Sequence, residues 1–138
     1  MTYPEALQEL VEEFQAVHDK RERLEMLFEL ADEVIELPAN DWSEQTRVRG
    51  CQSEAHVSVL MEDGRIQFLS AADARMVQGL MGILTIALDG LTPAQAVLIS
   101  PAFAEEMGLL NTLTPSRSNG FRNMYDKVMN EIRQSMEG

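Results

Sequence analysis

The stretch AHVSVLMEDGRIQFLS, residues 55–70, decides the fold class. Two β-rich runs, AHVSVLM and RIQFLS, flank the turn signal EDG, which is the pattern of a hairpin. Val57, Val59 and Met61 alternate onto one face, and Ile66 and Phe68 can pair across from them. The segment Arg47 to Arg49 is placed to add a third strand. The rest of the chain reads as helix or loop, so the hairpin makes the domain α+β rather than all-helical.

Upstream, TYPEALQELVEEFQAV carries Leu7, Leu10, Val11, Phe14 and Val17 on one helical stripe. Thr2 is its expected N-cap, with Pro4 in the first turn and Glu5 at the capping-box spacing. DKRERLEMLFELADEVIEL repeats the logic, with Asp19 and Glu22 at the cap and Leu24, Leu27, Phe28 and Ala31 on the stripe. The short link between the two predicts an antiparallel helix pair. LPANDWSEQTRVRGC then breaks the pattern and reads as a loop of about a dozen residues, the kind that carries function when it is ordered. Trp42, the sole tryptophan, is its expected anchor on the body of the protein.

Downstream, ADARMVQGLMGILTIALDG reads as a buried helix, with Asp73 at its N-cap or first turn and Gly90 as its stop. Met76, Val77, Leu80, Met81, Leu84 and Leu88 point to the core. Gly79 and Gly82 lie inside this helix, where glycine costs about 1 kcal/mol; close packing against the sheet is expected to offset that. Thr92-Pro93, Ser100-Pro101 and Thr114-Pro115 each open a helix, Gly108 closes the second, and Met124, Tyr125, Val128 and Ile132 form the core face of the last. Two helices, a small antiparallel sheet and then more helices make a two-layer domain spanning residues 1–138.

The net charge is -12, from 23 acidic and 11 basic residues. Such a chain repels phosphate backbones, which disfavours nucleic acid as a partner; the acidity serves solubility or docking to a basic protein surface. No basic-then-apolar leader opens the chain, and the apolar run from Leu80 to Leu88 is too short to span a bilayer. A reduced, soluble, cytoplasmic setting without membrane attachment is expected, one in which a free thiol persists.

That thiol is the chain's single cysteine, Cys51, in VRGCQSEAHV. As a free cysteine it is either a small buried hydrophobe or a working nucleophile. It lies in the polar run RGCQSE with no apolar periodicity through it, and Gly50 before it permits backbone conformations that other residues resist. A cation within about 4–6 Å stabilises a thiolate, and Arg47, Arg49 and Arg117 are the candidates. His56 follows five residues on, a spacing that fixes no cysteine–histidine geometry, and reads as a half-buried strand residue. One thiol with His18 and His56 matches no zinc spacing, and one chain with one cysteine cannot hold an iron–sulfur cluster alone. A lone mobile thiol does suit taking a sulfur atom from another protein's persulfide, which needs no internal base, metal or second cysteine.

Three blocks, GCQSEAHV around Cys51, ADARMVQGL from Ala72 and LTPSRSNGF from Leu113, resemble the signature blocks of the SufE family, in order and at suitable separations. The resemblance implies a small curved antiparallel sheet with helices packed on it, a fold shared with IscU-type scaffolds. It implies that Cys51 carries a persulfide taken from a PLP-dependent cysteine desulfurase of the SufS or CsdA kind, for delivery to an iron–sulfur scaffold complex. The PLP would belong to the partner, with no cofactor on this chain, whose role would be that of a sulfur-transfer accessory protein rather than a standalone enzyme. Asp73 and Arg117 match family positions beside the cysteine loop, and Gly50, Arg49 and His56 complete the supporting set around it. At His56 the family usually has a bulky apolar or aromatic residue, which implies a more polar cysteine pocket here. Two other roles are compatible with the residues: a non-covalent activator of the desulfurase with a structural Cys51, and a redox-sensing thiol.

Overall fold

A computed structural model describes residues 3–137. The expected cap at Thr2 lies outside the described residues. The first helix, α1 (Glu5–Gln15), buries Leu7, Leu10, Val11 and Phe14. The second, α2 (Lys20–Glu29), is capped as expected by the Asp19 side chain, which accepts from the Arg21 N–H at 3.1 Å, but of its stripe only Leu27 is fully buried. A 3-10 turn, Leu30–Glu33, follows it.

The hairpin forms from β1 (Ala55–Glu62) and β2 (Arg65–Ala72), antiparallel, with Val59 opposite Phe68 and Met61 opposite Ile66. Asp63 and Gly64 turn the chain with φ of 53° and 77°. Positive φ at both central residues matches the twist of the strands, which is why this Asp-Gly pair makes the tight connection. Ala55, Val57, Ile66 and Phe68 are buried as the alternation predicts, whereas Met61 is 42% exposed because the end of the ribbon runs past the helices. The third strand is reduced to a single bridge, Arg47 with His56, bonded through Val48 N to Ala55 O at 2.8 Å and Val57 N to Thr46 O at 2.9 Å. On the other edge Glu36 makes a parallel bridge to Ser70. The loop between α2 and β1 therefore touches both edges of the hairpin.

Everything is arranged around α3 (Arg75–Leu88), which is buried on nearly all sides from Val77 to Leu88. α1, α2 and its 3-10 turn, and β2 all pack on it. The two N-terminal helices meet chiefly through α3 rather than as the expected pair. The glycines are explained differently from the expectation too. A methyl at Gly79 would run into the Leu27 carbonyl, and one at Gly82 into the Leu30 carbonyl. The close approach is to the backbone of α2 and its 3-10 turn, not to the sheet. The C-terminus of α3 is pinned to β2, with Ile66 N donating to Leu91 O at 2.7 Å, Gly90 N to Ile66 O at 2.8 Å, and Phe68 N to the Asp89 carboxylate at 3.1 Å.

Three short helices follow: α4 (Pro93–Ala96), with a full Thr92–Gln95 capping box, α5 (Ala102–Glu106) and α6 (Leu109–Thr112). Gly108, at φ 78°, separates the last two. The long α7 (Pro115–Glu137) starts where Thr114 Oγ1 accepts from Arg117 N at 3.3 Å. It buries Gly120, Phe121, Met124, Tyr125, Val128, Met129 and Ile132. The result is a small two-stranded sheet with helices packed around it, an α+β fold. No helix among the described residues is long and apolar enough to cross a membrane.

Two predictions follow from this packing. Gly82→Ala should destabilise the fold by about 1–3 kcal/mol, the usual cost of overpacking, even though alanine is the better helix former. Urea unfolding midpoints of the variant and the parent check the sign. The second concerns Tyr3, whose hydroxyl donates to Glu106. Burial, and then that carboxylate, push its phenol up to about 12, and burial also raises Tyr125. The unfolded phenol titrates near 10, so the folded chain keeps a proton that the unfolded chain has lost. The stabilisation is complete below pH 10 and is lost as pH rises toward about 12. Ultraviolet titration should show phenolate appearing above pH 10, and Tyr3→Phe should make the alkaline loss of stability less steep.

Candidate functional site

Cys51 sits in the turn that links the Arg47 bridge to β1. It is neither fully buried nor free in solvent. With Gln52 it lines a nearly filled pocket of about 10 Å³, whose other walls are Val77 and Leu80 from α3 and Ser116, Arg117, Gly120, Phe121 and Met124 from α7. A Cβ added at Gly120 would lie 3.7 Å from Cys51 Sγ, so the sulfur packs on the backbone face of α7 that this glycine leaves bare. The thiol is thus sheltered by apolar side chains of two helices and by one arginine.

Gly50 has φ 79°, a left-handed conformation that a side chain resists, and a Cβ there would collide with the amide of Asn123 on α7. Its glycine is required twice, by the backbone and by the close approach. Of the three candidate cations only Arg117 lines the thiol pocket, and its Nη1 donates to Ser53 Oγ at 3.1 Å. Arg49 is turned away, 3.5 Å from Glu44, and Arg47 lies 4.0 Å from Glu54. Both line a wide groove of about 1020 Å³ between the loop and α7, beside the thiol rather than at it.

Asp73 does not cap α3; Ala74 takes that place, with no side-chain bond. Asp73 is instead clasped to the foot of the cysteine loop: Glu54 N donates to its Oδ1 and its own N donates to Glu54 O, each at 3.1 Å. The residue lies near the loop, as the block resemblance implies, by a bond pattern that sequence spacing does not reveal.

His56 is 4% exposed, more buried than expected, and it is not part of the cysteine pocket. The implied polar pocket is therefore corrected: the His56 side chain bonds elsewhere and the walls around Cys51 include Val77, Leu80, Phe121 and Met124. The His56 ring stacks on Trp42, with centroids 4.6 Å apart and planes at 14°. Trp42 anchors its loop as expected, its Nε1 also donating to Leu37 O at 2.9 Å. Gly120 and Asn123 were not among the sequence candidates. Gly120 lay within the LTPSRSNGF block, and the signal for Asn123 was its position, nearly two turns after Arg117 on the same helix.

Chemically, the arrangement offers a thiol with no histidine lining its pocket, held on a turn with a glycine pivot and facing an arginine. Such a thiol is suited to an exchange in which a partner supplies the reactive sulfur.

The chain is similar to known proteins over most of its length. Residues 8–132 match the SufE family model, described as an Fe-S metabolism associated domain. An uncharacterised SufE-like protein of Synechocystis is 36% identical over 124 residues, 90% of this chain and 78% of that protein. A chloroplastic/mitochondrial SufE-like protein of Arabidopsis thaliana is 30% identical over 135 residues, 97% of this chain but only 36% of the longer plant protein. A hypothetical protein of Thermus thermophilus, solved in solution, shares the fold with TM-score 0.84 at 24% identity, over 99% of this chain and 100% of that one. The chain belongs to the SufE family, whose domain is associated with iron–sulfur metabolism.

Proposed function

We propose that this protein accepts sulfur on Cys51 from the persulfide of a PLP-dependent cysteine desulfurase and carries it toward iron–sulfur cluster assembly. The observation that carries the reading is the thiol's placement: half-sheltered, against Gly120, on a loop with Gly50 at positive φ and Arg117 at the pocket wall. Cys51 loses its proton and the thiolate attacks the terminal sulfur of the partner's persulfide. A new S–S bond forms on Cys51, the partner's S–S bond breaks, and the electron pair leaves on the partner's cysteine, which can take up the proton. Removing the product sulfur frees the desulfurase for its next turnover. The exchange requires no cofactor on this chain, since the PLP chemistry is completed on the partner.

The apolar walls suit both stages. They hold a thiol away from bulk oxidants, and the space beside it is on the scale of a single water molecule. A persulfide withdrawn there has little room for a second reactant. Delivery then requires the turn to move outward, toward the desulfurase on loading and toward a cluster scaffold on unloading.

Incubation with a desulfurase, PLP and free cysteine should add the mass of one sulfur atom, removed by reductant and absent from Cys51→Ser. Full stimulation of the desulfurase by Cys51→Ser would overturn the carrier reading in favour of a non-covalent activator. A peroxide-dependent disulfide dimer without any sulfur gain would favour a redox sensor. Ser53→Ala removes the bond from Arg117 while leaving that cation at the pocket wall. It should speed alkylation of Cys51 in the free protein by about tenfold, the equivalent of one hydrogen bond to a charged group, as followed by mass spectrometry.

A further inference from the structure

His56 is a buried polar side chain that the sulfur exchange does not use. Its bonds run to both ends of the segment that carries Cys51. Nε2 lies 2.6 Å from Glu54 Oε2, and Nδ1 lies 2.8 Å from Thr46 Oγ1, a hydroxyl that also reaches Ser43 O at 3.1 Å. Thr46 precedes the cysteine turn and Glu54 follows it. Each foot has its own further anchors. Thr46 O accepts from Val57 N at 2.9 Å, and the neighbouring Gln45 O accepts from Lys127 Nζ at 2.6 Å. Glu54 is clasped through its backbone to Asp73. Trp42 stacks over the ring.

The segment between the feet is held differently. Gly50 rests on Asn123, Cys51 on Gly120, and Ser53 accepts one bond from Arg117. These contacts reach α7 through side chains and bare glycine backbone, and they can part without disturbing the sheet.

We propose that His56 is a positioning residue for the sulfur-accepting turn: it clamps Thr46 and Glu54 together, so that outward movement is confined to Arg49–Ser53. The purpose of the clamp rests on the reading of Cys51 as the sulfur acceptor, but its existence is testable without any partner. A narrow, fixed base keeps the thiol's excursion short and returns it to the same pocket. If the base opened, the thiol would be exposed at rest and poorly aimed when presented.

The test is the alkylation rate of Cys51 by iodoacetamide in the free, full-length protein. Near-UV circular dichroism of Trp42 and the melting temperature report that each variant is folded. His56→Phe keeps the stack on Trp42 and removes both hydrogen bonds; it should raise the rate about tenfold, the equivalent of one to two ordinary hydrogen bonds. Glu54→Ala cuts one bond from a side chain that is 37% exposed and leaves its backbone clasp in place, so it tests the clamp even if His56→Phe fails to fold. It should also raise the rate, while Glu54→Gln, which keeps an acceptor oxygen, should restore the parent value. The double variant His56→Phe/Glu54→Ala should alkylate no faster than His56→Phe alone, because one linkage is cut twice. Parent-like rates in folded His56→Phe, or equal rates in Glu54→Ala and Glu54→Gln, would overturn the clamp. Sulfur gain by the parent protein is scored separately. A parent that takes up sulfur while the variants alkylate normally rejects the clamp alone; fast-alkylating variants of a parent that takes up none reject the carrier reading alone.

Discussion

The backbone-to-backbone approach of α3 to Leu27 and Leu30 is the constraint on which the rest of the structure depends. It requires glycine at positions 79 and 82, and it lets a helix that is apolar on almost every side bury nearly all of its length from Val77 to Leu88. One side takes α2 and its 3-10 turn, another takes β2, and the start of the helix forms a wall of the thiol pocket through Val77 and Leu80. The opposite wall is α7. The junction where Cys51 rests is therefore framed by two helices that are themselves fixed by the core. On the proposed carrier reading, the thiol leaves this surface and returns to it, which requires a surface that does not move with it.

Much of this was legible from residue pattern. Alternation around EDG specified the hairpin and its register, because period-two burial and a turn that needs positive φ admit few alternatives. The caps at Asp19, Thr92 and Thr114 were readable since capping is local chemistry. Cys51 and Arg117 stood out by type and block, and they share a pocket although they are far apart in sequence.

What stayed hidden depended on long-range partners. Two glycines in a helix announce that something comes close, but not what; it proved to be another helix rather than the sheet. Asp73 has the composition of a cap, yet the backbone of Glu54 competed for it and won with two bonds. His56 stands on a strand whose alternation would turn it outward, and it is buried where the Trp42 ring stacks on it and Thr46 and Glu54 bond to it. Met61 fits the inward pattern but lies beyond the reach of the helical layer. In each case the residue type set the capacity and the tertiary neighbour decided its use.

On the proposed carrier reading the cysteine turn opens when a partner docks, and the contacts that hold it fit that demand. Swinging Arg49–Ser53 outward gives up one hydrogen bond to a charged group, worth about 1.5–3 kcal/mol, and the contacts of one small side chain against Gly120. That cost suffices to keep most molecules closed, since each 1.4 kcal/mol is about a factor of ten. It is also small beside what a specific protein interface can supply once its own ordering costs are met. Opening the feet as well would break the clasp to Asp73, the ladder bonds at Thr46 and Val48, and the stack on Trp42. Those losses would compete with the stability of the domain itself, which for a chain of this size is only about 5–15 kcal/mol. A docking partner that moves the tip alone can thus reach the thiol without unfolding the protein that carries it.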